Sequence, residues 1–169
     1  MVAICVAGKN AITQAKKVHQ FLSGIEGVSP FDKVRELIAK GGLLKRLKEV
    51  RMGQYKRIKK AFEDSLDLGL RNCSLTDLTN ILGVGNKTSR FFLLHSRRSC
   101  EYVVLDTHIL RFLREQCGMA DIPKSTPTNP VKYSEIEERA KKILIAKFPS
   151  FSLDEIDLKM WLEMSARTK

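Results

Sequence analysis

The sequence predicts an all-α fold. Apolar residues recur at three- and four-residue spacing through nearly the whole chain, alternating strand patterns are almost absent, and the breaks between periodic stretches carry glycine, proline or helix-capping residues. The 169 residues, 43% of them hydrophobic, suffice for one sizeable core or two small lobes sharing a cleft. In order, "VAICVAGKNAITQAKKVHQFL" predicts an apolar helix, an interruption at Gly8-Lys9-Asn10, and an amphipathic helix. "FDKVRELIAKGG" reads as a short helix closed by glycines, and "GLLKRLKEVRMGQYKRIKKAFEDSL" as two helices with a break near Gly53. Ser74 and Asp77 form an N-cap pair opening "LTDLTNIL", which stops at Gly83. After Gly-Val-Gly a new helix, "NKTSRFFLLHS", begins, and "YVVLDTHILRFLREQ" is an extended lead-in followed by a helix. "DIPKSTPTNPVK", with its three prolines, reads as a connection. Two final helices carry capping-box patterns, Ser134 with Glu137 and Ser152 with Glu155.

Composition narrows the function. The formal charge is +11, and the excess is uneven: residues 1–72 hold 15 Lys and Arg against 7 Asp and Glu, the remainder 15 against 12. Such a balance favours a polyanionic partner, nucleic acid before membrane. No apolar run approaches the roughly 18 residues of a membrane helix, and "MVAICVA" lacks the basic start and cleavage site of a signal peptide. The expected location is therefore intracellular, the cytoplasm or nucleoid of a prokaryote, and the expected oligomeric state is a monomer. Cys5, Cys73, Cys100 and Cys117 are far apart, with no paired spacing and no histidine pair, so neither a metal site nor a cofactor is expected. Buried thiols in a reducing compartment explain them.

The turn between residues 82 and 88 carries chemistry. A helix ends, the chain passes through Gly83, Val84 and Gly85, and the next helix opens with Asn86, Lys87 and Thr88. Glycines allow close approach to a phosphate, and the first amides of the following helix are free donors at the positive end of its dipole. This is a helix-hairpin-helix, a grip on one DNA strand that reads no bases; a plain packing turn would use the same residues. Nineteen residues after Lys87, Asp106 follows an apolar run and precedes a helix. A carboxylate there can cap the helix or face outward to a reaction.

Together, "LGVGNKTSRFF" and "VVLDTHILRFL" resemble the motif of the helix-hairpin-helix, Gly/Pro…Asp DNA glycosylases, the superfamily of endonuclease III and the 8-oxoguanine DNA glycosylases. "AICVAGKNAITQAKKV" is similar to their helix–loop–helix that fills the gap left by a flipped base, and "SLDEIDLKMWLEMSARTK" resembles the last helix of the archaeal-type, second class of 8-oxoguanine glycosylases. The cluster cysteines of endonuclease III are absent, which sets the chain apart from that branch.

The resemblance implies two helical lobes flanking a DNA-binding cleft within one unit, 1–169: a central lobe over about 20–118 holding the hairpin at about 74–96, and a second lobe from 1–19 and 119–169. It implies a bifunctional DNA glycosylase and abasic-site lyase that needs no cofactor and acts on double-stranded DNA containing a damaged base, with 8-oxoguanine opposite cytosine the expected target. Lys87 would be the nucleophile and Asp106 its electrostatic partner, with location at a helix N-terminus in a partly dry cleft favouring the neutral amine. Gly83, Val84, Gly85 and Thr88 would hold the DNA backbone. Trp161 would stack on the extruded base and the α-carboxylate of Lys169 would accept a hydrogen bond from it. Lys9, Asn10, Arg51, Met52, Gln54 and Tyr55 would supply the wedge and contact the orphaned base, while Lys56, Arg57, Lys59 and Lys60 lie along phosphates. Two alternatives stay open: a non-catalytic DNA-binding protein with the same hairpin, and a glycosylase for an oxidised pyrimidine or a mismatched base.

Overall fold

The computed structural model describes residues 1–6 and 9–166. Among them are ten helices and no strand: α1 (Val2–Cys5), α2 (Ala11–Leu22), α3 (Pro30–Ala39), α4 (Leu43–Glu49), α5 (Tyr55–Leu66), α6 (Leu75–Thr79), α7 (Asn86–Ser96), α8 (Thr107–Gln116), α9 (Pro130–Lys147) and α10 (Leu153–Ala166). The all-α expectation holds for these residues. None of the helices is long and apolar enough to cross a membrane.

The chain divides into two compact units, Met1–Val84 and Gly85–Lys169. Polar groups tie the start of the chain to α5 and to the turn before it: Lys9 donates to the Met52 carbonyl (2.7 Å), Lys17 of α2 to that of Arg51 (2.7 Å), and Arg57 of α5 to that of Ile4 in α1 (2.7 Å).

In the first unit, helix starts follow local chemistry. Asn10 caps α2 by accepting from the Thr13 N–H (3.0 Å), and Ser29 with Asp32 makes a full capping box at α3, with Pro30 at the first helical position. Ser74 and Asp77 make the expected box at α6. The end of α2 is closed from a distance: the Arg46 guanidinium donates to the carbonyls of Gln20, Phe21 and Ser23. A cation there satisfies orphan carbonyls and opposes the negative end of the dipole. The core collects Phe21, Val34, Leu43, Leu47, Met52, Ile58 and Phe62, with the Phe21 and Phe62 rings tilted at 5.8 Å.

In the second unit, α8 buries Ile109, Leu110, Phe112 and Leu113, and α9 buries Tyr133, Ile136, Ala140 and Leu144. These spacings draw one stripe along each helix. α10 adds Ile156 and Met160 and packs chiefly on α8. Ser134 and Glu137 do not make the expected capping box. α9 begins a turn earlier, at Pro130, with Asn129 as its cap (Lys132 N–H, 3.0 Å), because proline suits the first helical position. Ser152 and Glu155 do pair at the start of α10, at 2.8 Å.

The α4–α5 connection is the most constrained turn of the first unit. Arg51 (φ 50°), Gly53 (φ 73°) and Gln54 (φ 47°) all lie in the left-handed region. A Cβ on Gly53 would stand 2.1 Å from the Lys9 Nζ. Gly53→Ala is therefore expected to cost about 1–2 kcal/mol from the backbone alone, and more from displacing Lys9. Urea unfolding should show a lower midpoint.

Candidate functional site

The turn at Gly83 follows its local chemistry. Gly83 takes φ 78°, which a residue with a Cβ enters only with strain, and the Val84 N–H closes the turn onto the Ile81 carbonyl (3.0 Å). Arg57 donates to the Gly83 carbonyl (3.1 Å), and its side chain fills the space a Cβ on Gly83 would need. Val84 is buried in the first unit and Gly85 is exposed.

Gly85 is extended, with φ −91° and ψ −177°, and is the N-cap of α7. Having no side chain, it leaves the start of α7 without a side-chain cap. The first intrahelical bond runs from the Ser89 N–H to the Gly85 carbonyl (3.0 Å), so the amides of Asn86, Lys87 and Thr88 precede the ladder. Lys87 and Thr88 are half-buried in this first turn. The Lys87 amine has no hydrogen bond or ion pair among the described residues.

Asp106 terminates the segment 101–106, which is neither helix nor strand, and caps α8. Its Oδ1 accepts from the N–H groups of His108 (2.9 Å) and Ile109 (2.8 Å). Both capping bonds end on one oxygen. The carboxyl is held above the usual aspartate range chiefly by burial. The Ile109 amide and the charges of His108 and Lys87 pull it down, while Asp157 pushes it up. Lys87, His108 and Asp157 therefore each act on Asp106 within a single unit. The sequence placed Lys87 and Asp106 at the starts of two helices, and the structure brings them within electrostatic reach.

Three residues linked to one another, Phe91, His95 and Asp157, went unassigned in the sequence, and the last of them acts on Asp106. Phe91 and His95 follow Lys87 on α7 at four-residue steps, with rings at 4.6 Å, and the His95 Nε2 meets the Asp157 Oδ2 of α10 at 2.8 Å. The i, i+4, i+8 spacing from Lys87 was the available signal. Trp161 stands one turn beyond Asp157 and is 37% exposed, and Phe91 is 39% exposed, so both rings show a free face. Lys169 lies outside the described residues.

The expected wedge residues fall in the first unit and are not equivalent. Met52 is wholly buried, a core side chain rather than a wedge. Its setting, not its type, decides this: Met52 is as fully buried as Leu47 and Ile58 on the helices either side of the turn. Lys9 is committed to the Met52 carbonyl, and Asn10 to capping α2. Arg51 and Gln54 remain exposed on the constrained turn, and Tyr55 opens α5. Of the basic residues on α5, Lys59 and Lys60 pair with Glu63 and Asp64 one turn on, and Arg57 faces the hairpin, leaving Lys56 exposed.

Among the described residues no cluster of histidine, cysteine and carboxylate side chains could hold a metal. Comparison with protein-family models, with curated proteins and with solved structures yields no match.

The cap and the charge of Asp106 are separable. Asp106→Ala removes both and should lower stability by about 1 kcal/mol, the usual worth of an N-cap. Asp106→Asn keeps the acceptor and should melt within a degree or two of the parent by calorimetry.

Proposed function

We propose that this protein is a DNA glycosylase and abasic-site lyase that removes an oxidised base, 8-oxoguanine first among the candidates, through a Schiff base on Lys87. The observation that supports this reading is the pairing in one unit of an amine without hydrogen-bond partners, on a helix N-terminus, with a half-buried carboxylate of raised pKa. An ordinary surface lysine and an ordinary helix cap would not feel one another.

In this mechanism the free amides after Gly85 and the Gly83-Val84-Gly85 turn take a DNA phosphate, and the net charge of +11 draws the duplex in. The damaged nucleotide leaves the stack, and the exposed faces of Trp161 and Phe91 are available to receive its base. The neutral Lys87 amine attacks the sugar C1′, and the bond to the base breaks with its electron pair passing to the base nitrogen, which takes up a proton. Ionised Asp106 stabilises the positive charge developing on the sugar. Loss of a proton from the amine and opening of the sugar ring give an iminium between Lys87 and C1′. That iminium acidifies the C2′ proton, whose loss expels the 3′ phosphate and nicks the strand.

Sodium borohydride reduces such an iminium to a stable amine, so it joins protein to DNA. On a duplex containing 8-oxoguanine opposite cytosine, the parent protein should form a covalent adduct and Lys87→Gln should form none. Strong binding of both proteins with no adduct on this duplex, on an abasic-site duplex, or on duplexes with oxidised pyrimidines or mismatches would leave only a DNA-binding role.

Because Asp106 works ionised, activity should fall as pH drops through its pKa. That pKa is raised, so the acidic limb of the single-turnover rate should lie above the ordinary aspartate value of 3.8. Asp106→Asn should abolish the limb and lower the rate throughout, by about 10²–10³-fold if its charge acts as an oxyanion-type stabiliser does. A limb that survives in Asp106→Asn would assign the titration elsewhere.

A further inference from the structure

We propose that Tyr133 and Glu137, on α9, are positioning residues that set the Asp106 carboxylate against the Lys87 amine; this rests on the Lys87–Asp106 reading above. The residues before Asp106 are buried but belong to no helix or strand, so their backbone groups need other partners. α9 supplies most of them. The Glu137 Oε1 accepts from the Val103 N–H at 2.9 Å. The Tyr133 hydroxyl accepts from the Leu105 N–H at 2.8 Å and donates to the Val103 carbonyl at 3.2 Å. Both side chains are nearly or wholly buried, so these bonds have no water to replace them.

The same two residues hold the helix that carries Lys87. The other oxygen of Glu137, Oε2, accepts from the Arg90 Nε at 2.7 Å, and Arg90 lies three residues beyond Lys87 on α7. Its guanidinium also sits 4.2 Å from the Tyr133 ring centroid. Glu137 thus bonds α7 with one oxygen and the segment before Asp106 with the other, and Tyr133 repeats the bridge with its ring and its hydroxyl. The ion pair is 4% and 6% exposed, which makes it a costly feature to keep in a core. An apolar pair would fill the volume, but it would not fix the register of residues 103–105, nor therefore where Asp106 emerges.

A second tie supports the same frame. Asn86, next to Lys87, donates to the Thr128 carbonyl (3.2 Å), and Thr126 donates to the carbonyl of Leu105, next to Asp106 (2.7 Å). The immediate neighbours of both reacting groups are thereby anchored in one short loop.

The test uses Tyr133→Phe and Glu137→Gln, each nearly isosteric, in the full chain. On an abasic-site duplex under single-turnover conditions, both should cut the rate of adduct formation by about 10–100-fold, the scale of a misplacement of about 1 Å. The Kd for the same duplex should stay unchanged. A merely structural role would instead shrink the reacting fraction and leave its rate constant at the parent value, and that result would overturn the proposal. A readout independent of turnover is the Asp106 carboxyl titration followed by NMR. In the parent background Lys87→Gln should raise the Asp106 midpoint, because the Lys87 charge lowers it. In the Tyr133→Phe background that increment should be lost; if it persists, the proposal fails. Should the parent protein form no adduct on any duplex, the enzymatic reading falls while the titration cycle still decides the positioning role.

Discussion

The second unit depends on how a buried, non-repetitive stretch of backbone is satisfied. Residues 103–105 run through the core with no ladder of their own, and the amides and carbonyls of Val103 and Leu105 are hydrogen-bonded by Glu137, Tyr133 and Thr126. A buried peptide group left unpaired costs about 1–3 kcal/mol. Several such groups in a row would tear the segment from the core. Because the side chains that prevent this stand on α9 and the preceding loop, the end of the segment, Asp106, is aimed by tertiary structure rather than by its own sequence.

From that constraint the site follows. α8 starts where the segment ends, since Asp106 closes its first turn, and α7 is drawn to the same place through Arg90. Lys87 then shares an electrostatic environment with a carboxylate that burial has made reluctant to ionise. Asp157 sharpens the conflict and is itself engaged with His95, so the charges around Asp106 come from α7, α8 and α10 together.

The first unit solves a different problem. Its helices are short and basic, and much of its positive charge is spent internally: Arg46 closes the end of α2, Lys9 and Lys17 hold the carbonyls of the α4–α5 turn, and Arg57 bridges Ile4, Gln54 and Gly83. Sequence charge counts treat all of these as available to a polyanion. The exposed remainder, including Arg51 and Lys56, is smaller than the formal balance suggests.

By itself the sequence determined the helices and the two chemically distinctive positions. Periodicity, glycine breaks and cap residues act over a few residues, so α2 through α5, the boxes at Ser74 and Ser152, the turn at Gly83, and the placement of Lys87 and Asp106 at helix starts could all be read locally. Tertiary structure decided what local rules cannot reach. Glu137 reads as a capping partner of Ser134, yet Pro130 starts the helix earlier and frees that carboxylate for Arg90, 47 positions away. The family resemblance implies a wedge role for Met52 at the helix break, yet in a turn with three left-handed residues its side chain is buried in the core. His95 and Asp157 carry no mark in sequence because their partnership spans 62 positions. Hydrogen bonding and burial between distant segments are set by packing, and packing is a property of the whole unit rather than of any window along it.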